Sequence, residues 1–173
     1  MKPAFWLEAW ENGRRGFHME QPNPDLVEYA SRFPKGSVLV PLCGASLDLG
    51  WLAERGYHAI GVELSPIAVA ELVERHGLQP GRDRGGLEVV EGQGITVLMG
   101  DFFTLQPEHV GPLSFIWDRA ALVALHPSQR QDYVSLQREL MGPETGLLLN
   151  VLNYDKSKLD GPPWAVTRED VAA

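Results

Sequence analysis

An acid, Glu63, lies 19 residues beyond a glycine, Gly44, and each stands where an apolar run ends. Gly44 follows Val38-Leu39-Val40 through the break Pro41-Leu42-Cys43, and Glu63 closes Ala59-Ile60-Gly61-Val62. A glycine where a strand turns into a helix lets backbone approach a ligand closely. A carboxylate about 20 residues further on is placed to accept from ribose hydroxyls. Two more pairs end apolar runs: Asp101-Phe102 after 95–99 and Asp118-Arg119 after 113–117. Asp101 offers a carboxylate or backbone to the exocyclic amine of an adenine, with Phe102 flanking the ring. Arg119 offers several donors to an anionic substrate. Near the N-terminus Trp6 and Trp10 are i,i+4, so they share one helix face. With Phe5 and Phe17 they form an aromatic surface that either packs on the domain or covers a flat or cationic ligand.

The first turn, PLCGAS, is not the G-x-G-x-x-G fingerprint whose glycines admit a pyrophosphate, and no Gly-Lys-Ser/Thr follows it. The site therefore suits a nucleoside without bridging phosphates. S-adenosylmethionine meets that description, because a sulfonium and an amino acid replace the phosphates. An NAD-dependent oxidoreductase is disfavoured on the same ground. Cys43, the single cysteine, reads as a buried small thiol rather than a nucleophile. The histidines at 18, 58, 76, 109 and 126 show no ligand spacing, so no metal is expected.

These residues need elements to bring them together. The sequence predicts strands at 37–41, 58–63, 95–99, 113–117 and 146–153, with 87–91 pairing to 95–99 as a hairpin. It predicts helices at 46–55, at 66–76 capped by Ser65 and stopped by Gly77, and at 128–140 capped by Ser128, with a short piece at 120–125. Asn23 and Pro24 open another helix, and 80–86 is a loop. Strands alternating with helices imply a doubly wound, mostly parallel α/β sheet. Its ligand then sits beyond the carboxyl ends of the strands. Residues 1–34 would form an N-terminal lid and helix, 35–153 the α/β core and 154–173 a tail, all in one domain of 173 residues.

Bulk composition narrows the partners. The formal net charge is -8 and the pI about 5.1, which disfavours nucleic acid and anionic membranes. Apolar residues make up 44%, but no stretch approaches the ~20 residues of a membrane span, and no signal peptide is evident. A cytoplasmic monomer acting on a small molecule is expected.

The segments FWLEAWENGRRGFH, VLVPLCGASLDLGWLAERGYHAIGVELS, GDFF, IWDRAALVALHPSQRQDY and NYDKSKLDGPPWAV occur in this order over nearly the whole chain. Together they closely resemble the thiopurine S-methyltransferase family. The resemblance implies a class I, Rossmann-like methyltransferase fold, S-adenosylmethionine as methyl donor and S-adenosylhomocysteine as product. Carried over by position, Trp6, Trp10 and Phe17 match the segment that folds over the donor, and Phe17 also matches a residue at the acceptor. Leu42, Gly44 and Glu63 fall in the donor-binding turn and strand end. Asp101 and Phe102 match the pair beside the adenine. Arg119 matches an arginine between donor and acceptor and is the candidate catalytic residue, orienting an anionic acceptor with no general base required. The implied acceptor is an aromatic or heterocyclic thiol, or a reduced selenium or tellurium species, in a detoxifying reaction. Two further C-terminal strands usual for the fold have no counterpart here, so a donor-binding protein without catalysis is the alternative.

Overall fold

Val38, Leu39 and Val40 are enclosed because their strand runs through the middle of a sheet covered on both faces, which is why the sequence reads as an unbroken apolar run there. The computed structural model describes residues 3–14, 18–155, 157 and 159–172. Its helices are α1 (Pro3–Glu11), α2 (Pro24–Tyr29), α3 (Asp48–Glu54), α4 (Pro66–His76), α5 (Pro107–Val110), α6 (Ala121–Ala124), α7 (Arg130–Leu140) and α8 (Arg168–Ala172). Its strands are β1 (Ser37–Val40), β2 (His58–Glu63), β3 (Gln79–Pro80), β4 (Glu88–Gly92), β5 (Ile95–Met99), β6 (Leu113–Arg119) and β7 (Gly146–Asn150). Among the described residues these strands form one sheet in the order β3-β4-β5-β2-β1-β6-β7.

The five strands from β5 to β7 are parallel, and the β3-β4-β5 end is antiparallel. The chain therefore winds outward from β1 in one direction through β2 and β5. It then returns to the other side of β1 for β6 and β7. This reversal between β1 and β6 opens a crevice at the carboxyl ends of the strands. Side chains alternate across the strands. Val38, Val40, Phe115 and Trp117 join α3 and α4 in one core, while Leu39, Ile60 and Ile116 join α6 and α7 in the other.

Several boundaries match the expectations from local chemistry. Ser65 Oγ accepts from the Ala68 N–H at the start of α4, and Gly77 ends it in the left-handed conformation. Asn23 Oδ1 accepts from the Asp25 N–H at the start of α2. The hairpin turns through Gln93-Gly94, both with positive φ, as a two-residue loop requires.

Others differ. α3 starts at Asp48 rather than 46, because Ser46 Oγ takes the Asp48 N–H from outside the helix. α7 starts at Arg130 rather than 128. A 3-10 turn, Pro127–Gln129, precedes it, with His126 capping that turn by accepting from the Ser128 N–H, and α7 itself has no side-chain cap. β6 runs two residues past Trp117, because Asp118 and Arg119 pair with Leu149 and Asn150 of β7. β7 stops at Asn150, and Leu152 O instead accepts from the Val166 N–H of the tail. Pro80, expected in a loop, lies in β3, at the sheet edge where a missing N–H is tolerated.

Gly61 shows how tightly the first turn is packed. A Cβ there would sit 2.8 Å from Cys43 Sγ and 3.2 Å from a Leu49 methyl. Gly61→Ala is therefore expected to destabilise the fold by about 1–3 kcal/mol. Adding Cys43→Ala should recover part of that loss. Denaturant midpoints of the three variants test the coupling, and strictly additive effects would show that the sulfur is not the obstacle.

Candidate active site

The turn after β1 is held open by its backbone. Leu42 and Gly44 both take positive φ, 47° and 55°. Such a conformation is unfavourable for a leucine and persists only where its surroundings enforce it. Three contacts do so. The Cys43 N–H donates to Val62 O, Arg75 donates to Ala45 O at 2.7 Å, and the Gly44 N–H donates to Glu63 Oε2 at 2.7 Å. Cys43 itself faces inward with its thiol toward Gly44 O, and burial pushes the thiol well above its ordinary value. It is thus a buried neutral thiol rather than a thiolate.

Glu63 ends β2. Its Oε1 accepts from the Ser65 N–H at 2.6 Å while Oε2 holds Gly44. Burial raises its pKa, and the backbone N–H donors oppose the rise. A carboxylate has about four lone-pair sites, so these two bonds leave acceptor capacity for a ligand.

Arg119 ends β6 on the same strand face as Trp117. It is half-buried, and burial lowers its pKa while the charge of Asp48 opposes that shift. Asp118 faces the opposite way. It is fully buried, with Tyr133 Oη donating to it at 2.8 Å, Gln137 Nε2 at 3.1 Å and the Leu122 N–H at 3.1 Å. Burial raises its pKa against those donors. The adjacent acid and base therefore serve different sides of the sheet. Asp118 anchors the start of α6 to α7, and Arg119 looks toward the cleft. Between Arg119 and α6, Ala120 adopts a left-handed conformation, φ 67°.

These strand ends border a cavity of about 650 Å³, within the ~300–1,000 Å³ range of small-molecule sites. Trp6, Trp10, Leu42, Gly44, Glu63, Asp101, Phe102 and Arg119 all line it. The remaining expected residue, Phe17, lies outside the described residues. Trp10 is also part of the core, so the aromatic face both packs on the domain and borders the cleft. Asp101 Oδ1 accepts from the Phe103 N–H and caps the 3-10 turn Phe102–Thr104. Phe102 packs against Tyr133, with ring centroids 5.0 Å apart. Among the described residues, no group of three or more His, Cys, Asp or Glu converges as a metal site would.

Residues 1–173 match the family described as thiopurine S-methyltransferase. The chain belongs to the thiopurine S-methyltransferase family. A thiopurine S-methyltransferase of Pseudomonas aeruginosa is 43% identical over 99% of this chain and 80% of its own length. One of Pseudomonas putida is 44% identical over 99% of this chain and 81% of its own. Among solved structures, an S-adenosylmethionine-dependent methyltransferase of Anabaena variabilis superposes with a TM-score of 0.69 at 15% identity. It covers 98% of this chain and 78% of the other. A Burkholderia thailandensis 1,6-didemethyltoxoflavin-N1-methyltransferase, solved with bound 1,6-didemethyltoxoflavin and S-adenosylhomocysteine, gives a TM-score of 0.66 at 18% identity, over 88% of this chain and 62% of the other. At such identities the structures establish a shared fold.

Within this family member, part of the cleft wall was not evident in the sequence. Gln129, Asn150, Leu152 and the pair Pro162-Pro163 close the side near β7. Their only advance signal was the Gly-Pro-Pro-Trp cluster, which marks a constrained turn without saying where it docks. Asp48 was also missed. It reads as an ordinary acid in the first turn of a helix, yet it is buried and lines the same small cavity as Arg119.

Proposed function

We propose that this chain is an S-adenosylmethionine-dependent methyltransferase acting on the sulfur of an aromatic or heterocyclic thiol. The observation that carries the proposal is the cleft at the β1–β6 reversal. There a buried carboxylate, Glu63, a turn at Gly44 without the dinucleotide-binding glycines, and an arginine, Arg119, border one largely apolar cleft. A dinucleotide would need the glycine-rich turn that is missing.

The residues present fit the donor. Glu63 would accept from the ribose hydroxyls, while Asp101 and Phe102 would border the adenine. Trp6 and Trp10 would offer ring faces to a flat or cationic group, with Leu42 and Gly44 forming the floor. When bound, S-adenosylmethionine would supply an activated methyl group on its sulfonium, and the acceptor sulfur would take that methyl in line as the methyl–sulfonium bond breaks and S-adenosylhomocysteine leaves. The chain's own task is then mainly alignment, which can contribute about 7–11 kcal/mol. Arg119 holds the acceptor sulfur as an anion near the donor side of the cleft. The thiol proton leaves to solvent, so no side chain is needed as a strong base.

Trp6 is half-buried and lines the cleft. Trp6→Ala should weaken donor affinity about tenfold, in line with the worth of an aromatic contact, while barely moving the unfolding midpoint. Calorimetry with S-adenosylmethionine measures the first and thermal unfolding the second.

The deciding experiment incubates the protein with methyl-labelled donor and a panel of aromatic, heterocyclic and aliphatic thiols, with selenide as a further acceptor. Transfer to aromatic or heterocyclic sulfur supports the proposal. Donor binding without transfer to any acceptor would identify a donor-binding protein instead. We further read the chain as a single-domain cytoplasmic monomer with no nucleic-acid partner, and its net charge of -8 supports the last of these. Among the described residues, no helix is long and apolar enough to cross a membrane.

A further inference from the structure

We propose that Asp48 is a positioning residue for Arg119: its buried carboxylate, gripped by the Trp117 indole and the Asn23 backbone, fixes where the guanidinium sits at the cleft. This rests on the reading of Arg119 as the residue that meets the acceptor.

A carboxylate removed from water is costly unless donors and a counter-charge surround it. Asp48 is almost inaccessible, and each of its oxygens is held. Trp117 Nε1 donates to Oδ2 at 2.8 Å, and the Asn23 N–H donates to Oδ1 at 2.8 Å. Trp117 and Arg119 are two apart on β6 and share a face. Binding the indole therefore brings the carboxylate under the same strip of strand that carries the guanidinium. Asp48, Trp117 and Arg119 line one small cavity of about 40 Å³ behind the Leu42–Gly44 turn. Arg119 also borders the large cleft, and with Leu42, Gly44 and Ala120 it forms the partition between the two spaces. Asp48 supplies negative charge on the inner side of that partition and opposes the effect of burial on Arg119.

Asp118, next in sequence to Arg119, is not in a position to do this, because Tyr133, Gln137 and Leu122 hold it on the other face. Asn23 is the cap of α2, so the same carboxylate ties the N-terminal segment to the active-site arginine. A helix-opening acid with an ordinary sequence signature thus joins three elements at one point: α2, α3 and β6.

The test is a double-mutant cycle. Asp48→Asn keeps the size of the side chain and one acceptor oxygen but removes the charge. It should lower kcat/KM for a thiol acceptor about tenfold in the native background and have no further effect in Arg119→Met. A fall of equal size in both backgrounds would mean that Asp48 acts through packing alone and would overturn the proposal. A second readout needs no turnover. The Arg119 Nε–H signal, assigned by its loss in Arg119→Met, should shift in the nitrogen-15 NMR spectrum of Asp48→Asn. Should Asp48→Asn fail to fold, Trp117→Phe removes one of the two grips on the carboxylate and should move the same signal. An unmoved Arg119 signal in the folded variant overturns the assignment. If the unmutated protein transfers methyl to no thiol, the functional reading fails and the NMR shift alone decides the role of Asp48.

Discussion

Glu63→Gln is expected to weaken S-adenosylmethionine binding by about 30- to 100-fold, the scale of losing charge-assisted hydrogen bonds. The carboxylate does two jobs at once. Its oxygens close the turn by accepting from Gly44 and Ser65, and Glu63 also lines the cleft, where on the proposed reading its remaining lone pairs would accept from ribose. Glutamine keeps one acceptor oxygen, so one of those backbone N–H groups loses its partner in a buried setting. That costs about 1–3 kcal/mol of stability. The two losses separate experimentally, since stability is read by denaturant unfolding without ligand and affinity by calorimetry on folded protein. A variant that loses stability but binds the donor with unchanged affinity would confine Glu63 to the turn.

The raised pKa of Glu63 adds a signature with a definite sign. Burial lifts it above the ordinary Glu value. In the window between the two values the native state keeps a proton that the unfolded chain has released. The contribution of Glu63 to stability therefore falls as pH rises through that window and is constant above it. Donor affinity should run the other way, because the ionised carboxylate is the better acceptor, and should drop as pH falls through the raised value. Subtracting the Glu63→Gln profile from that of the unmodified protein isolates both slopes, although Asp118 is also raised. Parallel slopes would contradict the assignment.

How far this was legible in the sequence depends on which forces acted locally. β2 and α4 were readable because everything that defines them is nearby. An apolar run ends on Glu63, Ser65 caps, Pro66 opens, and Gly77 closes. The strand ends bearing Asp101 and Arg119 were readable as a site because the parallel sheet carries them to one edge. The sequence predicts that β6 ends at Trp117, since Asp118-Arg119 looks like a polar terminus. Only the pairing with Leu149 and Asn150 extends it, and that pairing depends on a strand some 30 residues later. The opposite facing of Asp118 and Arg119 follows from this extension, because in a strand neighbours diverge. The β7 side of the cleft, with Gln129 and Pro162-Pro163, is assembled from loops with no period to read.

Arg119→Met should lower kcat/KM for thiol acceptors about 100-fold, at the lower end of what a preorganised charge contributes, and affect stability much less. Arg119 pairs with Asn150 of β7 in the sheet register, and that backbone pairing does not need the guanidinium, so methionine can follow the same path while removing the charge. The guanidinium stands half-buried at an apolar wall, where a charge acts more strongly than in open water. On the proposed reading its effect would be to favour the thiolate over the thiol in the bound state. The pH dependence of kcat, which reports groups in the bound complex, should therefore move to higher pH in Arg119→Met, by about one unit for each tenfold loss of preference for the anion. Arg119→Lys should restore only part of the rate, because an ammonium is a point charge without the planar fork that fixes direction. If the rate falls while the ascending, acid-side limb stays in place, Arg119 contributes shape rather than charge. Unchanged turnover across the whole thiol panel would remove it from the reaction altogether. A limb that moves in Arg119→Met and moves partway in Asp48→Asn would tie the two residues to a single electrostatic unit, with the cleft on one side and the buried carboxylate on the other.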